Sequence, residues 1–124
     1  MAERIAFLLW AATPDRPELC ATPLVHALAA RALDAEVEIH FAGPAVRLLV
    51  AGVAEQLYAS PAREKSLAAF LRELLAADVR LLACSMAGAT WVEADEVYIA
   101  GSAHAGATAF VARALDPDWR TLVF

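Results

Sequence analysis

Cys84 and Ser85 close the apolar run Arg80-Leu81-Leu82-Ala83 and are followed by Met86, Ala87 and Gly88, with Trp91 just beyond. In an α/β domain a run of this kind is a buried strand feeding a helix. Its last residues then emerge at the carboxyl edge of the sheet, where such folds bind and react. Cys84 is therefore the candidate nucleophile, because only the thiolate is strongly nucleophilic and a helix start beside it favours the anion. Ser85 is the expected cap of that helix and a supporting residue. The helix alone is too weak a device. A free thiol with a pKa near 8.5 is about 3% ionised at pH 7, and a helix end contributes about 0.3–1 kcal/mol, less than one pKa unit. A second donor is required, and His104 is the expected one, since the turn before it opens on the same sheet edge. The alternative is that Cys84 packs the strand end as a small hydrophobe.

Other chemistries find less support. A dinucleotide fingerprint needs Gly-x-Gly-x-x-Gly straight after the first strand, and Ala11-Ala12-Thr13-Pro14-Asp15 stands there instead. Gly101 and Gly106 share P-loop glycine spacing, but Ala107-Thr108 replaces the lysine and hydroxyl pair that holds phosphate and magnesium. His26, His40 and His104 lie outside ligand spacing of one another, so no metal is expected. No Gly-x-Ser-x-Gly elbow surrounds Ser85. Cys20, 64 positions from Cys84, is read as packing or surface, or as a resolving thiol. No cofactor is implied.

The elements that must position Cys84 follow from periodicity. Ile5–Trp10 is a continuous apolar strand, and Thr22-Pro23 starts a helix with the stripe Leu24, Val25, Leu28 and Ala32. Val37, Ile39 and Phe41 alternate with Glu38 and His40, a strand with one more polar face. Val46, Leu49, Val50, Val53 and Leu57 fit a second helix. Ser60-Pro61 opens a third, with the stripe Leu67, Phe70, Leu71 and Leu74. Val79–Ala83 is the third strand, and Ser85 caps a fourth helix to about Ala94. Val97–Ala100 is the fourth strand, Ala103–Leu115 the fifth helix and Trp119–Phe124 the last strand. Alternation of strands and helices predicts an α/β three-layer sandwich with a mostly parallel five-stranded sheet, residues 1–124 forming a single domain. Strand order is left open.

With 124 residues, the chain buries enough surface to fold without a metal or disulfide. It is 60% apolar with a mean hydropathy of +0.52, much of it alanine. The longest uncharged run, Val97–Ala112, contains Gly101, Ser102, His104 and Gly106 and is too short to span a bilayer. Neither a signal peptide nor a disulfide framework is visible, so a reducing cytoplasm is expected. The net charge of −5, without a basic cluster, argues against nucleic acid and anionic membranes as partners.

The element order, with Leu71-Arg72-Glu73-Leu74-Leu75-Ala76-Ala77-Asp78 leading into Val79-Arg80-Leu81-Leu82-Ala83-Cys84-Ser85-Met86-Ala87, resembles the DsrE/DsrF-like sulfur-relay proteins. Asp95-Glu96-Val97-Tyr98-Ile99-Ala100-Gly101 and the alanine-rich final helix extend the likeness over the chain. The resemblance implies the fold of that family and a small cytoplasmic subunit assembled as a homo-oligomer, a trimer or hexamer. It implies a sulfurtransferase or sulfur carrier whose cysteine, matched by Cys84, takes sulfur as a persulfide and passes it to a carrier or acceptor protein. Trp91, Trp119 and the Leu122-Val123-Phe124 end would then lie in interfaces. Two other readings stand beside it. The chain is a non-catalytic oligomeric subunit or small-ligand binding module of the same fold, or a thiol redox sensor in which Cys84 oxidises.

Overall fold

The computed structural model describes residues 3–124. Five strands form one sheet: β1 (Arg4–Leu9), β2 (Glu36–Phe41), β3 (Arg80–Cys84), β4 (Ala103–Ala105) and β5 (Arg120–Val123). Four α-helices connect them: α1 (Ala21–Ala32), α2 (Leu67–Ala76), α3 (Ser85–Trp91) and α4 (Ala107–Leu115). The strand order is β4-β3-β2-β1-β5 and every pairing is parallel.

That order dictates where the helices go. From β1 to β4 the chain steps across the sheet in one direction, so right-handed crossovers place α1, α2 and α3 on one face. The step from β4 back past β1 to β5 reverses direction and carries α4 to the other face. The main core follows this division. Phe7, Val37, Ile39, Phe41 and Leu81 point from the strands to the first face and pack with Leu24, Leu71 and Leu74 of α1 and α2. The second face carries α4 alone, packed on β1, β4 and β5, and no residue of α4 is fully buried.

Local chemistry sets the ends. Asp34 and Asp78 take left-handed backbone (φ 67° and 64°) just after α1 and α2, the conformation that terminates helices and that Asp tolerates better than most side chains. Ser66 caps α2, its hydroxyl accepting from the Ala69 N–H at 3.2 Å, so the helix starts there and not at Ser60-Pro61. The helix expected over 46–57 is instead a 3-10 segment, Gly43–Leu49, and a single 3-10 turn, Ala54–Gln56. Spacing of i, i+3 suits both helix types, and Gly52 (φ 92°) breaks the run between them. The fourth strand also differs. Val97–Ala100 joins the sheet nowhere. Its Val97 and Ile99 exchange backbone hydrogen bonds with Ala51 and Leu49 at 2.8 Å, and β4 lies at Ala103–Ala105. His104 accordingly sits on a strand, and the helix beyond it begins at Ala107.

Candidate functional site

Cys84 is the last residue of β3, still extended (φ −66°, ψ 122°), and occupies the position before the first turn of α3. Its thiol is half-buried. The next strand in space is β4, with Cys84 in register with Ala105. Beyond β3 the chain turns to α3 on one face, and beyond β4 it turns to α4 on the other. The carboxyl ends of β3 and β4 therefore flank the point where the winding reverses, the place where open parallel sheets form a crevice. A cavity of about 180 Å³ occurs there, lined by Leu8, His40, Cys84, Ala105, Phe110 and Val111 among others. Its walls are apolar apart from the thiol and the imidazole.

Strand parity explains why His40 belongs to it. His40 pairs with Leu82, and Cys84 lies two residues further on, so both point to the same face. Glu38 shares that face and is 2% exposed. Its Oε1 lies 2.9 Å from His40 Nε2 and accepts from Arg113 Nε at 2.8 Å. Its Oε2 accepts from Arg80 at 3.0 Å and from the second Arg113 nitrogen at 3.2 Å. Burial pushes the Glu38 carboxyl up, but hydrogen bonds from His40 and Arg113 outweigh it and hold the group down at about 2. The Arg113 guanidinium also stacks 4.0 Å over Trp119. Phe110, one helical turn before Arg113, sets its ring edge-on to His40 at 5.2 Å. A fully satisfied ionic cluster thus fastens α4 to the sheet and fixes two walls of the cavity.

Ser85 is the first residue of α3, exposed; the capping position belongs to Cys84, whose side chain makes no capping bond. His104 pairs with Ala83 and so projects to the face opposite that of Cys84. There it is exposed and meets Tyr98 edge-on at 5.1 Å. The structure brings Cys84 and Ser85 together by adjacency and does not bring His104 into the cavity. Tyr98 belongs to this edge as well. Burial, and then the charge of a Cys84 thiolate, raise its hydroxyl above the ordinary tyrosine value. A Cβ on Gly88 would stand 2.6 Å from that hydroxyl, so α3 and Tyr98 pack this closely only because residue 88 is glycine. No motif pointed to Tyr98 or His40.

Cys20 is fully buried at the start of α1, its thiol 3.4 Å from the Thr13 carbonyl oxygen. Burial and the nearby Glu18 charge push it up to about 12. Among the described residues no group of three or more His, Cys, Asp or Glu is placed to hold a metal ion, and no helix is long and apolar enough to cross a membrane. A larger depression of about 460 Å³, lined in part by Arg31, Asp34 and Asp78, is open and shallow. It lies at the ends of α1 and α2 away from Cys84 and holds no nucleophile.

The comparison with known families turns on this arrangement. The sequence model of the DsrE/DsrF-like family matches residues 5–124. The chain belongs to that family. Among solved structures, the ychN protein from E. coli superposes with a TM-score of 0.78 at 17% identity, covering all of both chains. A protein of unknown function from Methanobacterium thermoautotrophicum, MTH1491, gives 0.67 at 18% identity, over 98% of this chain and 99% of its own. At such identities the likeness is one of fold, and the DsrE-like sheet with helices on both faces is the architecture described above. No curated protein matches the sequence.

Proposed function

We propose that this DsrE-like protein is a sulfur-relay subunit that holds a persulfide on Cys84 and passes its outer sulfur to a thiol of a carrier or acceptor protein. The observation that carries the reading is the thiol itself. It is half-buried at the reversal point of the sheet and opens into a small apolar cavity, in a chain of the DsrE/DsrF-like family. A partly shielded site suits a persulfide, which reacts with any thiol that reaches it. The protein works in the cytoplasm, in this reading, as a homotrimer or homohexamer. Ser85, exposed beside Cys84, borders the path by which the acceptor thiol approaches.

Intact mass after exposure to a sulfane donor tests it. Wild type gains 32 Da per chain and Cys84→Ser gains nothing. An unchanged wild-type mass, or an equal gain on the serine variant, ends the reading.

The apolar lining favours one alternative, a binding module for a small neutral ligand. In that case small apolar probes raise the Tm of Cys84→Ser as much as that of wild type, and no sulfur adduct forms.

A further inference from the structure

We propose that His40, oriented by Glu38, is the proton-handling partner of Cys84. The proposal rests on the reading of Cys84 as the sulfur acceptor, and it replaces His104 in that role.

Three observations carry it. First, His40 and Cys84 occupy the same face of neighbouring strands two residues apart in register. With parallel strands about 4.8 Å apart and a rise of about 3.3 Å per residue, such diagonal positions lie about 8 Å apart at the backbone, a separation that two side chains and a bridging water can close. Second, both line the same cavity of about 180 Å³, whose other walls are apolar. Third, the tautomer is set. A carboxylate only accepts hydrogen bonds, so when the imidazole is neutral, Nε2, 2.9 Å from Glu38 Oε1, carries the proton and Nδ1 the lone pair. Among the described residues no hydrogen bond engages Nδ1, yet no buried side-chain nitrogen or oxygen lacks a partner. Nδ1 is therefore not completely sealed, although the residue is only 5% exposed. Arg113 and Arg80 hold Glu38 in turn, and Phe110 holds the ring. The same order, carboxylate to imidazole to thiol, is what nucleophilic catalysis uses to keep a base aimed.

The step balances without an added oxidant. Nδ1 takes the proton of Cys84, and the thiolate attacks the outer sulfur of an alkyl persulfide, R–S–SH. The donor S–S bond breaks as the new one forms at Cys84, and the electron pair leaves on R–S⁻, which the imidazolium protonates. Products are Cys84–S–SH and R–SH.

The charged or titratable groups facing His40 are Glu38 on its own strand, Arg80 and Cys84 from β3, and Arg113 from α4. The test is the pH dependence of Cys84 alkylation by iodoacetamide, followed by peptide mapping in wild type, His40→Gln and His104→Ala. At pH 6.5 His40→Gln reacts at least fivefold more slowly than wild type, and the two rates converge at pH 9.5, where the thiol ionises unaided. His104→Ala follows wild type throughout. Equal profiles for His40→Gln and wild type overturn the proposal, as does a deficit that persists unchanged to pH 9.5, the mark of a purely structural role. Should His40→Gln fail to fold, NMR titration of His40 in wild type and Cys84→Ser decides. The His40 titration midpoint differs between them if the groups are coupled, and identical midpoints overturn the proposal. The sulfur reading fails separately, on the 32 Da adduct, which neither measurement requires.

Discussion

Cys20 is held against the Thr13 carbonyl with no exposed surface and its thiol pushed up to about 12. At pH 8 such a group is about one part in ten thousand thiolate, and the thiolate is the species that reacts. Native protein treated with iodoacetamide at pH 8 is therefore alkylated at Cys84 at least a hundredfold faster than at Cys20, with both labelled at similar rates in denaturant. Equal native labelling would mean that the start of α1 opens readily. The same buried thiol makes a poor resolving partner for an oxidised Cys84. At this scale the place of Cys84 at a strand end was legible and the side chain that shares its cavity was not. Spacing placed Cys84 at a strand end because a run of apolar residues stopping at small polar ones is a local signal. Whether His40 or His104 faces it depends on register across strands, and a shift of one residue sends a side chain to the other face. A usable hint was present. Glu38 and His40 alternate on one side of β2, and the polar face they form is buried under α4 rather than solvated.

The elements read from the sequence were those with strong periodicity or unmistakable ends. β1, β2, β3, α1 and α2 lie near their expected positions because apolar runs and stripes of that length have few alternatives. β4 was misplaced because Val97-Tyr98-Ile99 has the side chains that strands favour, whereas Ala103-His104-Ala105 has a poor strand sequence. Those three residues pair because the sheet offers a free edge at β3. α4 was expected to begin at Ala103 for the same reason. What no periodicity reveals is how α4 is held, since Arg113 meets Glu38 across 75 positions. Removing Arg113 takes two hydrogen bonds from a buried carboxylate that His40 and the exposed Arg80 then hold alone, so Arg113→Ala destabilises the fold by on the order of 2 kcal/mol, read from urea unfolding. The acid limb has the same origin. The Glu38 carboxyl titrates at about 2 when folded, against about 4.3 unfolded. Between those values the unfolded chain binds more protons, so stability rises with pH through that window and is flat above it. On the order of 3 kcal/mol is present at pH 5 and lost progressively toward pH 2. Glu38→Gln starts from lower stability at pH 7 and shows a flatter limb between pH 4.3 and 2. An equally steep limb in that variant would assign acid lability to other carboxylates.

For the molecule as a whole, the two faces of the sheet are unequally covered. Three helices and two 3-10 segments bury the first, whereas the second has a nine-residue helix with no fully buried side chain. Val111 and Leu115, one turn apart on α4, are 49% and 79% exposed, and Leu122 and Val123 of the edge strand β5 are 43% and 56% exposed. An edge strand carrying apolar side chains invites pairing or coverage by another chain; Val123 shares the face of α4 and Leu122 the opposite one, and exposed apolar groups on α4 and β5 suit an interface better than a monomer surface. The homo-oligomer proposed above gives this surface an occupant and sets the cavity, which Val111 lines, close to subunit contacts. Sedimentation equilibrium then yields a mass several times the 13.2 kDa of one chain, and Leu115→Glu, which costs little in an exposed position of a monomer, shifts the mass toward a single chain while leaving the circular dichroism spectrum unchanged. Wild type at 13.2 kDa across micromolar concentrations overturns the oligomer. An assembled wild type that Leu115→Glu leaves intact keeps the oligomer and moves its interface away from α4.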